Sequence, residues 1–163
     1  MEQELFVGRH LNKVDKKGRV SVPKPFRAAM DKQPFAGVYV FPQFKYSALE
    51  ACSREFMELI AHSLNELPMF SDDQDDLSII LENTHCLPLD NEGRIVLPKD
   101  LLAASGIGAS AMFVGRGVRF QIWCPKTYEA ARRPAFASIK KRGLTLSLNL
   151  LKSGLAGGVK NIE

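Results

Sequence analysis

The sequence predicts a mainly β protein with flanking helices, an α+β fold built from two internal repeats. Three observations predict it. First, Asp15-Lys16-Lys17-Gly18-Arg19-Val20-Ser21-Val22-Pro23 returns 75 residues later as Asp90-Asn91-Glu92-Gly93-Arg94-Ile95-Val96-Leu97-Pro98. Both copies read Asp-x-x-Gly-Arg-aliphatic-x-aliphatic-Pro, and self-similarity at a fixed offset marks a repeated structural unit. Second, each copy alternates apolar and polar residues after its glycine, the pattern of a half-buried strand. Third, each proline is followed by a short helical stretch.

Each element of the unit has a physical reason. Asp15 and Asp90 open tight turns, where a carboxylate accepts hydrogen bonds from backbone N–H groups two residues on. Gly18 and Gly93 supply positive φ without steric cost. Val20 and Val22, like Ile95 and Leu97, point to one side of a strand, and Arg19, Ser21 and Arg94 to the other. Pro23 and Pro98 stop the strands. Helices are predicted at Lys24–Met30 and Lys99–Ser105, the second capped by Gly106.

The remaining elements follow in order. Leu5–Gly8 reads as a short edge strand, and Gly37–Phe41 as a buried strand ended by Pro42. A helix is predicted from about Ser47 to Leu67, since Leu49, Cys52, Phe56, Leu59, Ile60, Ser63 and Leu64 keep near-helical spacing and Pro68 ends it. Ser71–Asp76 is either a loop or the acidic first turn of another helix running through Leu77, Ile80 and Leu81. Ala111–Gly115 and Val118–Trp123 read as strands, and Lys126 to about Arg133 as a helix. A short helix is expected at Leu144–Leu151, with disorder over the last ten or so residues. Phe41-Pro42 and Cys124-Pro125 read as equivalent points, 83 residues apart, which implies a shortened hairpin in the first repeat.

Composition narrows the function. The chain has 163 residues and a net charge of +4. No apolar run approaches the ~18 residues of a membrane span, and Met1-Glu2-Gln3-Glu4 lacks the basic and apolar regions of a secretion signal. Cys52, Cys86 and Cys124 are odd in number and widely spaced, which fits a reducing cytoplasm rather than a disulfide framework. Charge is segregated: +6 over residues 9–32, −7 over 50–76 and +6 over 126–163. A basic patch is the electrostatic footprint of a phosphate-backbone binder, and also of a merely solvated face. No metal, cofactor or catalytic residue is expected. His10, His62 and His85 lie far apart, Cys52 and His62 fall on opposite sides of the predicted helix, and Gly106-Ile107-Gly108 follows a helix where a dinucleotide fingerprint follows a strand.

With these residues in view, the chain resembles the MraZ family, bacterial DNA-binding regulators with the AbrB-type swapped-hairpin fold. The resemblance rests on the two Asp-x-x-Gly-Arg turns, on Ile79-Ile80-Leu81-Glu82-Asn83-Thr84-His85-Cys86, and on Phe120-Gln121-Ile122-Trp123-Cys124-Pro125-Lys126-Thr127-Tyr128, and covers roughly residues 4–135. It implies one double-split, partly open β-barrel made by both repeats, with helices to the side. It further implies a ring-shaped homo-oligomer, double-stranded DNA with short direct repeats as partner, and repression of the division and cell-wall gene cluster, including the regulator's own gene. A cytoplasmic, nucleoid-associated location follows. The organisation expected is one domain over 1–139 (repeat one about 4–48, connecting helices about 47–82, repeat two about 79–135) and a basic, partly disordered tail over 140–163. Two other readings stand beside this one: an antitoxin-type DNA-binding module, and a ring-forming scaffold without a DNA role.

The two turns differ in charge. The first carries Lys16 and Lys17 where the second carries Asn91 and Glu92. The expected DNA set is therefore Lys16, Lys17, Arg19, Lys13, Arg9 and Arg27, and the structural turn set is Asp15, Gly18, Asp90, Gly93 and Arg94. Both repeats sharing the DNA face remains open at this point. So does a structural role for Arg19 as the partner of Asp15.

Overall fold

A computed structural model describes residues 5–31 and 35–148. In chain order its elements are β1 (Arg9–Lys13), β2 (Arg19–Ser21), α1 (Lys24–Met30), β3 (Gly37–Pro42), β4 (Ala48–Cys52), α2 (Arg54–Asn65), α3 (Asp72–Leu77) and α4 (Ile79–Glu82). They continue with β5 (His85–Pro88), β6 (Arg94–Val96), α5 (Lys99–Ser105), β7 (Ser110–Gly115), β8 (Phe120–Trp123), α6 (Pro125–Arg132) and α7 (Ala135–Arg142). The chain divides into two compact units, 1–131 and 132–163.

The first unit holds a six-stranded antiparallel sheet in the order β1-β7-β8-β4-β3-β5 and a separate ribbon, β2-β6. The sheet order is a palindrome of the repeats: β1 and β5 are equivalent edges, β7 and β3 lie inside them, and β8 and β4 pair at the centre. β1 thus pairs with β7, and β5 with β3, both antiparallel. The sheet does not close into a barrel. β1 and β5 remain its two edges, because β2 and β6 pair with each other rather than continuing the ladder.

One face of the sheet is the core, with Leu49, Ala51, Phe113, Phe120 and Ile122 at 0% exposure, packed with Val20, Phe26, Ile95 and Leu101. The other face carries two smaller clusters. Trp123, Ala48 and Val114 meet Tyr128 of α6, and Phe41 and Cys52 meet Met57 of α2. Between them lies a buried polar network at the β4–β8 centre. Glu50 Oε1 accepts from Gln43 Nε2 (2.9 Å) and Gln121 Nε2 (2.6 Å), and its Oε2 from Arg119 Nε (2.9 Å). Gln121 Oε1 in turn accepts from Trp123 Nε1 (2.9 Å).

Four expectations need correction. The helix drawn from Ser47 is a strand up to Cys52: every residue of Ala48–Cys52 is buried, on both faces of the sheet, and Ser53 then caps α2 by accepting from Phe56 N. Leu49 and Cys52 fit helical spacing only by coincidence. The first hairpin is consequently not shortened. Pro42 ends β3, and β4, not Phe41-Pro42, is the counterpart of β8. The double-split, partly open β-barrel of the expected fold gives way to the open sheet described above. Residues 144–148 hold no helix, and 149–151 lie outside the described residues, as does the end of the chain expected to be disordered. Of the two readings for Ser71–Asp76 the helix is correct: Ser71 Oγ accepts from Gln74 N, and three aspartates sit in the first turn of α3. In the second unit, α7 ends on Gly143 in the left-handed conformation with Lys140, Lys141 and Arg142 in its last turn, where cations oppose the helix dipole favourably.

Gly18 and Gly93 have φ of +81° and +75°. A Cβ at Gly18 would lie 2.8 Å from the Leu97 carbonyl oxygen, whereas one at Gly93 would meet the Arg27 side chain. Backbone cannot step aside and an arginine can. Both alanine variants suffer the left-handed cost of about 1–2 kcal/mol, and Gly18→Ala is expected to melt earlier than Gly93→Ala in parallel thermal denaturation.

Candidate nucleic-acid interface

The β2–β6 ribbon brings the two sequence repeats together about an internal dyad. Arg19 lies opposite Val96, Val20 opposite Ile95, and Ser21 opposite Arg94. Two reciprocal bonds close the ribbon, Val22 N to Gly93 O (3.0 Å) and Leu97 N to Gly18 O (2.9 Å). Val20, Val22, Ile95 and Leu97 are at most 2% exposed and fix the ribbon to the core. Alternation then forces Arg19, Ser21, Arg94 and Val96 outward.

Each turn is built around its aspartate. Asp15 Oδ1 accepts from Lys17 N and Arg19 N, both at 2.9 Å, and Oδ2 accepts from Arg19 Nε at 2.6 Å. Asp90 does the same with Glu92 N (2.8 Å), Arg94 N (2.9 Å) and Arg94 Nε (2.9 Å). The backbone N–H of the arginine is the first cause that holds each carboxyl below the ordinary carboxylate range, with the arginine side chain adding to it. A lowered pKa means that the clamp is in place above the ordinary value and is lost only as pH falls through the lowered one.

Arg19 and Arg94 therefore share one geometry: both are struts of their own turns, through Nε. What separates them lies at the far end of the guanidinium. Arg94 Nη2 is 3.4 Å from Glu92 Oε2. Asp90, Glu92 and Asp15 all favour its charged form, the hydrogen bond that Arg94 Nε donates to Asp90 most. The terminal nitrogens of Arg19 face no carboxylate among the described residues. Lys16 and Lys17 stand exposed beside it.

The other expected residues are spread more widely. Arg27 reaches from α1 over Gly93, with its Nε buried and unpartnered, so it packs on the second turn. Arg9 and Lys13 project from β1 on the outer face of the sheet, opposite Val114 and Ser110, and the Arg9 guanidinium lies 5.9 Å from the centre of the Tyr128 ring. Lys24 opens α1, and Lys32 of the same basic stretch lies outside the described residues. Sequence reasoning placed Ser21 outward with Arg19 but missed the pairing of Ser21 with Arg94 and of Val96 with Arg19, because only the antiparallel register of the two repeats sets them side by side. Asn12 was missed as well; its Nδ2 donates to Ser21 O at 2.6 Å and ties β1 to the ribbon. Half-buried His85 on β5 meets the exposed Asp100 at 2.7 Å.

Other chemistry finds little support in the geometry. Burial pushes the Cys52 thiol up to about 12, leaving almost no thiolate at neutral pH. No helix among the described residues is long and apolar enough to cross a membrane.

Comparison with known proteins agrees with the geometry. The family model described as "MraZ protein, putative antitoxin-like" matches residues 80–142. A transcriptional regulator MraZ of Rickettsia rickettsii (strain Sheila Smith) is 36% identical over 143 residues, which is 87% of this chain and 96% of the relative. One from Rickettsia canadensis (strain McKiel) is also 36% identical, and one from Rickettsia africae (strain ESF-5) 35%, with the same coverage. With that identity over 87% of this chain and 96% of each relative, the chain belongs to the MraZ family.

Proposed function

We propose that this chain is a sequence-specific DNA-binding transcriptional regulator whose DNA face is centred on the first Asp-x-x-Gly-Arg turn. The observation that carries the proposal is Arg19. Asp15 holds its Nε and leaves its terminal nitrogens pointing from an exposed two-stranded ribbon, beside Lys16 and Lys17. The major groove admits a two-stranded ribbon, and an oriented arginine can read guanine O6 and N7 with two hydrogen bonds. Lysines at the turn suit phosphates, which position the protein without reading sequence. The relatives' name, transcriptional regulator MraZ, supports the same reading.

The finer proposal follows the family resemblance. The chain acts in the cytoplasm at the nucleoid as a repressor of the division and cell-wall genes, including its own gene. It does so as a ring-shaped homo-oligomer on short direct repeats, through one DNA-binding domain over 1–139 whose repeats exchange hairpins, with a basic tail after it. A small ribbon covers few base pairs, so one subunit binds weakly. Several linked copies gain from effective concentration once the first is bound. An antitoxin-type module stays as the second reading because of the family model's printed description. That reading requires a toxin partner, and the basic stretch 126–163 is opposite in charge to the acidic tail usual in such modules.

The test is a binding titration on duplexes from the region upstream of this chain's own gene, the site being located by footprinting. Lys16→Ala with Lys17→Ala is expected to weaken binding across all sequences and reduce the salt slope by about 2, while Glu92→Ala changes little. Equal damage from Glu92→Ala would place the second turn on the DNA as well and overturn the asymmetry.

A further inference from the structure

The second unit carries a surface that is basic and apolar at once. From Arg132 to Leu148 the sequence holds five cations, Arg132, Arg133, Lys140, Lys141 and Arg142, and no carboxylate. None of the five pairs with a carboxylate among the described residues. Large apolar side chains stand in water among and after them. Phe136 is 87% exposed and Ile139 46%, and Leu144, Leu146 and Leu148 are 48%, 82% and 48% exposed. α7 buries none of its own residues. Scattered exposed apolar residues are ordinary, but a run of them rimmed by one sign of charge marks a contact surface.

Local geometry sorts these side chains. Phe136 and Ile139 are three residues apart and share one side of α7. Lys140 follows Phe136 by four residues and Arg142 follows Ile139 by three, so both cations border that side. Gly143, at φ +62°, ends the helix, and Leu144 N donates to Ile139 O (3.2 Å). Leu144, Leu146 and Leu148 then alternate with Thr145 and Ser147, the period of an extended chain with one apolar side. The chemistry says what fits. Duplex phosphates satisfy the cations and leave the apolar side chains in water, and the same segment of a second copy repels it. An anionic bilayer takes both: headgroups meet the charges, the phenyl and leucine side chains enter the acyl boundary, and the long stems of Lys and Arg bridge the two depths.

We propose that residues 132–148 bind the surface of an anionic lipid bilayer, with Phe136 and the three leucines inserted and the cations on the headgroups. The eight residues of α7 are far too few to cross a bilayer, so the segment lies in its surface. The contact is reversible, because it sums several weak terms without a covalent lipid. It does not rest on the DNA reading. The first turn belongs to the other unit, and lipid binding is read without DNA, so either can fail while the other stands.

The experiment is flotation of the full chain with vesicles of phosphatidylcholine alone and of an equal mixture of phosphatidylcholine and phosphatidylglycerol, with circular dichroism to verify folding. Wild type is expected to float with the mixed vesicles and to stay behind with the neutral ones. Each cation near an anionic surface is worth roughly fivefold in partitioning, so Lys140→Gln with Lys141→Gln and Arg142→Gln is expected to lower binding at least about tenfold. Phe136→Ser with Leu146→Ser, at side chains that pack on little in their own chain, is expected to lower it about tenfold as well, with duplex affinity and the chain's mass in solution unchanged. Lys16→Ala with Lys17→Ala is expected to float as wild type does. Equal binding to both vesicle types, binding to neither, or full binding by either C-terminal variant would overturn the proposal. So would loss of flotation in the Lys16 and Lys17 variant, which would assign lipid capture to the first turn. Weaker duplex binding or a changed mass in Phe136→Ser with Leu146→Ser would assign the segment to DNA or to a protein contact instead.

Discussion

Arg19→Ala is expected to abolish specific DNA recognition while leaving the melting temperature nearly unchanged. The Asp15–Arg19 pair lies at the surface, with side-chain exposures of 37% and 36%, and exposed pairs of this kind add little to stability. Asp15 also keeps its two backbone donors when the arginine is removed, so the turn stays closed. The binding loss is that of an oriented guanidinium at a base edge, ~1–3 kcal/mol or roughly 5- to 150-fold per site. Lys16 and Lys17 should preserve part of the non-specific affinity. Arg94→Ala serves as the control. Its clamp is the same, so its melt should match, but Glu92 already occupies its outer end, so the binding loss should be smaller. An Arg19→Ala protein that binds as well as wild type, in a titration run beside the melt, would remove Arg19 from the DNA face.

The largest loss of stability is expected from Glu50→Ala. Its side chain is 11% exposed and receives hydrogen bonds from Gln43, Gln121 and Arg119. Truncation leaves three donors facing a gap at the centre of the sheet. A deeply buried ion pair broken on one side costs about 3–5 kcal/mol. Arg119 is 37% exposed and can turn to water, which brings the expected cost to about 2–3 kcal/mol, or roughly 5–10 °C in melting temperature. Glu50→Gln keeps an acceptor and should lose less. The check is a thermal melt of both variants, and a shift under about 2 °C for Glu50→Ala would show that water replaces the network without loss.

The repeats were the legible part of the fold. Asp, Gly and Pro act through local backbone geometry, so the two turns, their strands and the helices α1 and α5 stand where the sequence placed them. β4 was not legible. A strand buried on both faces loses the period-2 signal, and Leu49 with Cys52 then mimics a helical stripe. The closure of the barrel was beyond local reasoning as well, since it depends on whether β2 and β6 bond to each other or to the sheet edges. In the site, the charge contrast between Lys16-Lys17 and Asn91-Glu92 was visible in one dimension. The equivalence of the Arg19 and Arg94 clamps was not, because the sequence shows an Asp four residues before each Arg without showing which nitrogen it holds. Arg9 and Lys13 entered the expected DNA set by proximity in sequence, and only the pairing of β1 with β7 shows that both project from the outer face of the sheet.

The central claim is that the ribbon and the first turn bind the DNA backbone and read its bases. The most direct measurement is the affinity of the wild-type protein for the duplex upstream of its own gene, and for a scrambled duplex, across a series of salt concentrations. Release of counterions by Lys16, Lys17 and at least one neighbour predicts a slope of log affinity against log salt of about −3 or steeper on both duplexes, with tighter binding to the upstream sequence throughout. A flat salt dependence, or equal affinity for the two duplexes at every salt concentration, would contradict it.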